Sequence, residues 1–140
     1  MRRLSGSHTA IGAAIGLWLV SIVVVLGAQA EKDPAAAKLK NPTKPTAESL
    51  AVGQAGYNKY CKFCHGEDAK GDGPLAPKDT HPPNLIDAKW EHGTTDGELF
   101  TNIREGIGPD YKMKAMKTKM DDDLIWNIVN YVRSLAPKTP

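Results

Sequence analysis

Residues 61–65 read Cys-Lys-Phe-Cys-His, and these are the only two cysteines in the chain. Thiols three residues apart share one face of a helix, with the next imidazole, His65, beside them. That arrangement fits a porphyrin. Each thiol can add across one vinyl group while the histidine reaches the iron from beneath the ring, the C-x-x-C-H pattern of covalent haem attachment. Three other uses of such a pair fit less well. A disulfide over two intervening residues closes a tiny loop and constrains the unfolded chain very little. A zinc site would have to be completed by His81 and His92, since no second cysteine pair exists. A thioredoxin-like dithiol needs a βαβ setting, and no segment here alternates as a strand.

An iron held by His65 has a second face, and the soft donors available to it are Met113, Met116 and Met120. Met120 stands just before Asp121, where a hydrophobic staple is expected ahead of a helix cap. Met113 comes after Gly106-Ile107-Gly108-Pro109, a stretch able to run back across a flat ring, and is the preferred sixth ligand. Met116 is the alternative, and methionine also serves simply to fill gaps in cores. A His65/Met113 pair occupies both axial positions and raises the reduction potential. Iron without a vacancy moves electrons and does little bond chemistry, so the expected role is an electron carrier, not an enzyme. An open sixth site, binding peroxide or a diatomic gas, is the enzymatic alternative.

Lys112, Lys114, Lys117 and Lys119 bracket the methionines, with Lys59 and Lys62 flanking the first cysteine. Such a run is either a soluble face or the rim of an exposed haem edge. In the second case it would steer an acidic redox partner, with an on-rate that falls as salt rises. Trp90 either hydrogen-bonds a haem propionate through its indole N–H or simply packs. His81 and His92 sit in a polar loop and are expected to be solvated.

The elements that must position these groups are helical. Leu50, Gly53, Tyr57, Cys61 and Cys64 recur at three- and four-residue steps, which predicts a helix over 47–63 with Thr46 as its cap. Thr95-Asp96-Gly97-Glu98 has capping-box spacing and opens a second helix, stopped by Gly106. Asp121 caps a third, whose stripe is Leu124, Ile125, Ile128, Val129, Val132 and Leu135, with Pro137 ending it. Residues 66–94 show no period and are punctuated by Gly and Pro. A structureless loop of that length needs a surface to wrap.

A length of 140 residues leaves room for one domain, expected over 47–137. A formal charge of +2 is far from the strongly basic balance of a nucleic-acid binder. The aromatic content is only 6%, and much of the apolar content sits in the run 10–28, so a bound cofactor would complete a thin core. Arg2 and Arg3 precede that run and Ala28-Gln29-Ala30 closes it. Residues 1–30 therefore read either as a cleaved secretory signal or as a permanent anchor through 10–28. Both place the rest of the chain outside the cytoplasm, periplasmic or otherwise extracytoplasmic. Residues 31–46, with three prolines and almost no large apolar side chains, are expected to form a flexible linker.

From about Thr46 to Ala136 the chain resembles the small bacterial class I monohaem c-type cytochromes. The resemblance rests on Gly53-x-x-x-Tyr57 ahead of Cys61, the Cys61–His65 motif, Pro83-Asn84-Leu85, the methionine segment, and Trp126-x-x-x-x-Tyr131. It implies an all-α class I cytochrome c fold, three main helices and a long loop wrapped around one covalently attached haem c with its iron. It implies that Gly53 and Tyr57 cross the final helix near Tyr131, and that the Pro83 carbonyl accepts the Nδ1 hydrogen of His65. In many relatives the ligand methionine precedes a proline and lies thirteen residues before the tryptophan. Met113 stands at that distance from Trp126, but Lys114 replaces the proline. The implied function is single-electron exchange between redox partner proteins, either alone or as the cytochrome subunit of a larger membrane oxidoreductase.

Overall fold

Thr46, Thr95 and Asp121 each adopt extended backbone and accept a hydrogen bond from an N–H in the next turn of chain, so three helices begin where their caps require. The computed structural model describes residues 33–78, 81–87, 90–108 and 113–136. Its elements in chain order are α1 (Pro34–Lys38), α2 (Ala47–Tyr60), α3 (Lys62–His65), α4 (Asp96–Glu105) and α5 (Asp122–Leu135). Among the described residues there is no strand, only an isolated antiparallel bridge between Ile107 and Met113. The long helices are the three expected from the apolar periodicity, and the described residues form the expected all-α arrangement.

α2 and α5 form the central crossing. A Cβ on Gly53 would lie 2.0 Å from the Asn127 carbonyl oxygen, so only glycine lets the two backbones approach this closely. One turn on, the fully buried Tyr57 meets Tyr131 with ring centroids 5.5 Å apart. Ile125, Ile128 and Val129 are buried beneath them, and the Phe100 ring of α4 stacks on Trp126 at 4.1 Å. Met120 is buried ahead of the Asp121 cap, the position of a hydrophobic staple.

Two expectations are corrected. The helix predicted over 47–63 stops at Tyr60. The Cys61 backbone is stretched away from ideal helical geometry (φ −111°), and its carbonyl accepts from both Cys64 and His65 N–H groups at 3.1 and 2.9 Å, which starts the separate short helix α3. The stretch 31–46, expected as a linker, is packed against the domain from residue 33 onward. Asp33 caps α1 by accepting from Ala35 N–H at 2.8 Å, with Pro34 in the first turn, where a missing N–H costs nothing. Ala36 is buried against α4. Asn130 of α5, itself buried, donates to the Thr43 carbonyl at 3.0 Å and to Ser49 Oγ at 2.9 Å, and accepts from Asn41 at 2.8 Å. A polar residue on the apolar stripe of α5 thus anchors a segment whose own composition looks solvated.

The segment 10–28 lies outside the described residues. Among those described, no helix is long and apolar enough to cross a membrane.

Candidate functional site

The Cys61–His65 turn is gripped on both sides. The Tyr57 hydroxyl donates to the Gly66 carbonyl at 2.8 Å, tying the end of α3 back onto α2. On the other side the long loop folds over the motif through three backbone bonds. Gly71 N–H donates to the His65 carbonyl at 2.8 Å, Gly73 N–H to that of Cys64 at 3.1 Å, and Leu75 N–H to that of Phe63 at 2.7 Å. Farther along, Leu85 N–H donates to the carbonyl of Ala69, which is fully buried. The loop that lacks any sequence period therefore has its register set by the backbone of the motif.

Within this turn both cysteines are free and half-buried. Burial, with Cys64 alongside, pushes the Cys61 thiol up to about 12. Disulfide exchange and zinc ligation both use the thiolate, so this environment disfavours them. Among the described residues no group of three His, Cys, Asp or Glu side chains could hold a metal ion, and His81 and His92 are exposed and apart from the cysteines. The His65 imidazole is held neutral by burial, its pKa lowered. Its Nδ1 is buried with no hydrogen-bond partner. A buried ring nitrogen without a partner is costly, and a neutral imidazole in such surroundings is the protonation state that ligates a metal. Adjacent thiols and a neutral imidazole match the donor set that covalent haem requires.

The hydrogen bond expected from His65 Nδ1 to the Pro83 carbonyl is not made. The Pro82–Pro83 segment does lie over this turn, with the Pro82 and Pro83 carbonyl oxygens 2.0 and 3.4 Å from where a Cβ on Gly71 would sit. Pro83 itself is half-buried.

Met113 and Met116 are both half-buried and pack against the core along with Cys61, Leu85, Ile86 and Trp90. Their segment lies across the end of α4. Ile107 N–H donates to the Met113 carbonyl at 2.9 Å. Met116 N–H donates to the Ile103 carbonyl at 3.0 Å and to that of Arg104 at 3.2 Å, and Lys117 N–H to Arg104 at 3.2 Å. The final carbonyls of α4 are thereby satisfied by this strap. The Tyr60 hydroxyl donates to the Lys119 carbonyl at 3.4 Å, joining the strap to the residue before Cys61. The structure thus packs Cys61, Met113 and Met116 against one core, with Cys64 and His65 on the turn that follows Cys61.

The lysines fare differently. Lys112 lies outside the described residues. Lys117 pairs with Glu105, and Lys62 with Glu67 at 3.8 Å. Lys59 lies over the Tyr60 ring at 4.9 Å. Lys114 and Lys119 are exposed and form no ion pair among the described residues. Trp90 carries the Arg133 guanidinium over its ring at 4.9 Å, and Arg133 also bonds Asp96 at 2.8 Å. Sequence reasoning missed Arg104, Glu105 and Asp122, whose ion pairs link the end of α4 to Lys117 and to the first turn of α5. Alternating charge at the end of one helix and the start of the next was their only signal.

Residues 48–132 match the family model described as cytochrome c oxidase, cbb3-type, subunit III. The chain is 33% identical over 104 residues to the cbb3-type cytochrome c oxidase subunit CcoP of Rhodobacter capsulatus, covering 70% of this chain and 33% of that protein. It is 32% identical over 104 residues to CcoP of Rubrivivax gelatinosus, covering 74% and 30%. The chain therefore spans about a third of the length of these curated relatives. Among solved structures it resembles a chain of the reducing HAO-like protein complex of Kuenenia stuttgartiensis, with a TM-score of 0.59 and 26% identity over 69% of this chain and 47% of that one. It also resembles cytochrome cL of Methylophaga aminisulfidivorans, with a TM-score of 0.52 and 27% identity over 64% and 57%.

Proposed function

The chain belongs to the family of cytochrome c oxidase, cbb3-type, subunit III, a c-type cytochrome carrying covalent haem c, and we propose that Cys61 and Cys64 hold that haem while His65 and Met113 ligate its iron. When bound, the haem supplies a one-electron iron couple. The protein's part is to fix geometry. Cys61 and Cys64 would fix the ring at two points, and the three backbone bonds from Gly71, Gly73 and Leu75 keep that turn from rearranging. His65 presents a neutral imidazole, and with the haem bound the Pro82–Pro83 segment, Pro83 by the family pattern, would supply an acceptor for its Nδ1 hydrogen. Met113 completes the other face. The observation that carries this reading is a turn on which two free thiols stand beside a buried, neutral imidazole.

Residues 33–136 work on the non-cytoplasmic side, held there or exported by residues 1–30. Their partners are redox proteins. The likeness to CcoP subunits supports a haem module that passes electrons to other subunits of a membrane oxidoreductase, with Lys114 and Lys119 steering acidic surfaces toward it.

The test is the holoprotein made with a working maturation apparatus. Its intact mass must exceed that of the polypeptide by one haem that survives acid–acetone extraction, and its oxidised spectrum must show the far-red band of methionine–iron(III) ligation. Met113→Ala should abolish that band and Met116→Ala should keep it. A colourless product would overturn the haem assignment, and the opposite pattern of band loss would move the sixth ligand to Met116. Rapid CO binding by the untreated reduced protein would favour an open site.

A further inference from the structure

The strap's backbone bonds to α4 do not by themselves define its register. The last carbonyls of a helix accept any N–H that comes within reach, and beyond them the strap has one isolated bridge, from Ile107 N–H to the Met113 carbonyl, so few backbone bonds oppose a shift of the strap along the helix end. Such a shift would displace Met113 by about 3.3 Å, the rise of extended chain, more than a ligand bond tolerates. Something must choose which residue of the Met113–Lys119 segment sits beside the helix end. The same segment holds three lysines, Lys114, Lys117 and Lys119, and only Lys117 finds a carboxylate among the described residues.

That carboxylate is itself fixed. Glu105 accepts from Lys117 on one side and from Arg104 on the other. Arg104 Nε also donates to Asp122 Oδ1 at 2.9 Å, in the first turn of α5. The four charges form a chain, Asp122–Arg104–Glu105–Lys117, that joins the start of α5, the end of α4 and the strap. Each pair is exposed and worth little as stability. A network whose members constrain one another is better suited to setting position than to adding free energy.

We propose that Glu105 is a positioning residue for the sixth ligand, selecting Lys117 and so holding the strap in the register that presents Met113. This rests on the assignment of Met113 as ligand. It also removes Lys117 from the docking surface, because a lysine committed to Glu105 offers a partner no free charge.

The experiment uses the oxidised holoprotein with two readouts, the far-red methionine–iron(III) band and solvent exchange of the Met116 and Lys117 amide hydrogens. Glu105→Gln and Lys117→Gln should each weaken the band and speed both amides about threefold, the scale of one exposed pair. Covalent haem content should not change, and Lys117→Arg should match the parent in both readouts. Unchanged band and exchange in both glutamine variants would overturn the proposal, as would Lys117→Arg behaving like Lys117→Gln. If Met113→Ala retains the band, the ligand assignment fails, while amide exchange still decides whether Glu105 fixes the strap.

Discussion

The two sides of the site end their helices in the same way and are held in different ways. α3 stops at Gly66 (φ 82°, ψ 165°) and α4 at Gly106 (φ 81°, ψ 178°), a region of backbone space that only glycine enters readily. Past Gly66 the chain is fastened to its own motif by backbone bonds spanning six to twelve residues. Past Gly106 the chain leaves, returns, and is fastened to α4 by bonds to the helix end and by side-chain charge. One side is fixed by its near neighbours in sequence, the other by residues that the fold brings back.

The sharpest test of that contrast replaces each glycine by alanine. Either substitution costs about 1–3 kcal/mol in backbone strain. At Gly106 the new Cβ would also stand 2.5 Å from the Met113 carbonyl oxygen and 2.9 Å from Ala115 N, both backbone atoms. At Gly66 it would meet the Asp72 carboxylate at 2.1 Å, a side chain that can swing aside. Gly106→Ala should therefore lose the far-red band while keeping covalent haem. Gly66→Ala should lower stability, read by denaturant unfolding, and keep the band. Equal band loss in both variants would erase the distinction.

The same contrast explains how much is legible in the sequence. Cys61, Cys64 and His65 are near neighbours, so their joint chemistry shows in one string. The helix caps Thr46, Thr95 and Asp121 act within a single turn and are readable for that reason. Residues 33–46 read as a linker because their anchor, Asn130, lies some ninety residues away on a helix. The Pro83 acceptor rests on analogy, and although both proline carbonyls come close to Gly71 in the turn, neither reaches His65 Nδ1. The role of Lys117 escapes the sequence because a row of lysines does not reveal which one meets a carboxylate. Local capping is written in the chain, whereas pairing across the fold must be seen.

Acid should separate the two sides with a smaller effect. The hydrogen bond from Lys117, with that from Arg104, holds the Glu105 carboxyl below the usual carboxylate range. The facing groups are Lys117 and Arg104, with Asp122 on the far side of Arg104. A depressed folded-state pKa contributes stability that is complete above the unfolded value, about 4.3 for glutamate. It is lost as pH falls through the lower folded value. Below about pH 4 the far-red band should weaken reversibly, and Glu105→Gln should show the weakened band already at neutral pH. A band with the same acid profile in parent and Glu105→Gln would assign the transition to another group.

Salt provides the finest division, because it asks which lysines are free. An ion pair such as Lys117–Glu105 presents almost no net field at a distance, whereas Lys114 and Lys119 project uncompensated charge. Steering depends on that long-range field, which is screened beyond about 8 Å at physiological ionic strength. The rate of electron transfer to an acidic partner should fall as salt rises, and Lys119→Gln should lower the low-salt rate by about twofold and flatten the slope. Lys119→Gln should leave the far-red band intact. Removing the pair as a unit, Glu105→Gln with Lys117→Gln, should do the reverse, weakening the band with little change in slope, since the double substitution leaves the net charge unaltered. If instead the double variant flattens the salt dependence as much as Lys119→Gln does, the pair itself faces the partner, and an unchanged band in that variant would leave the strap's register to backbone contacts alone.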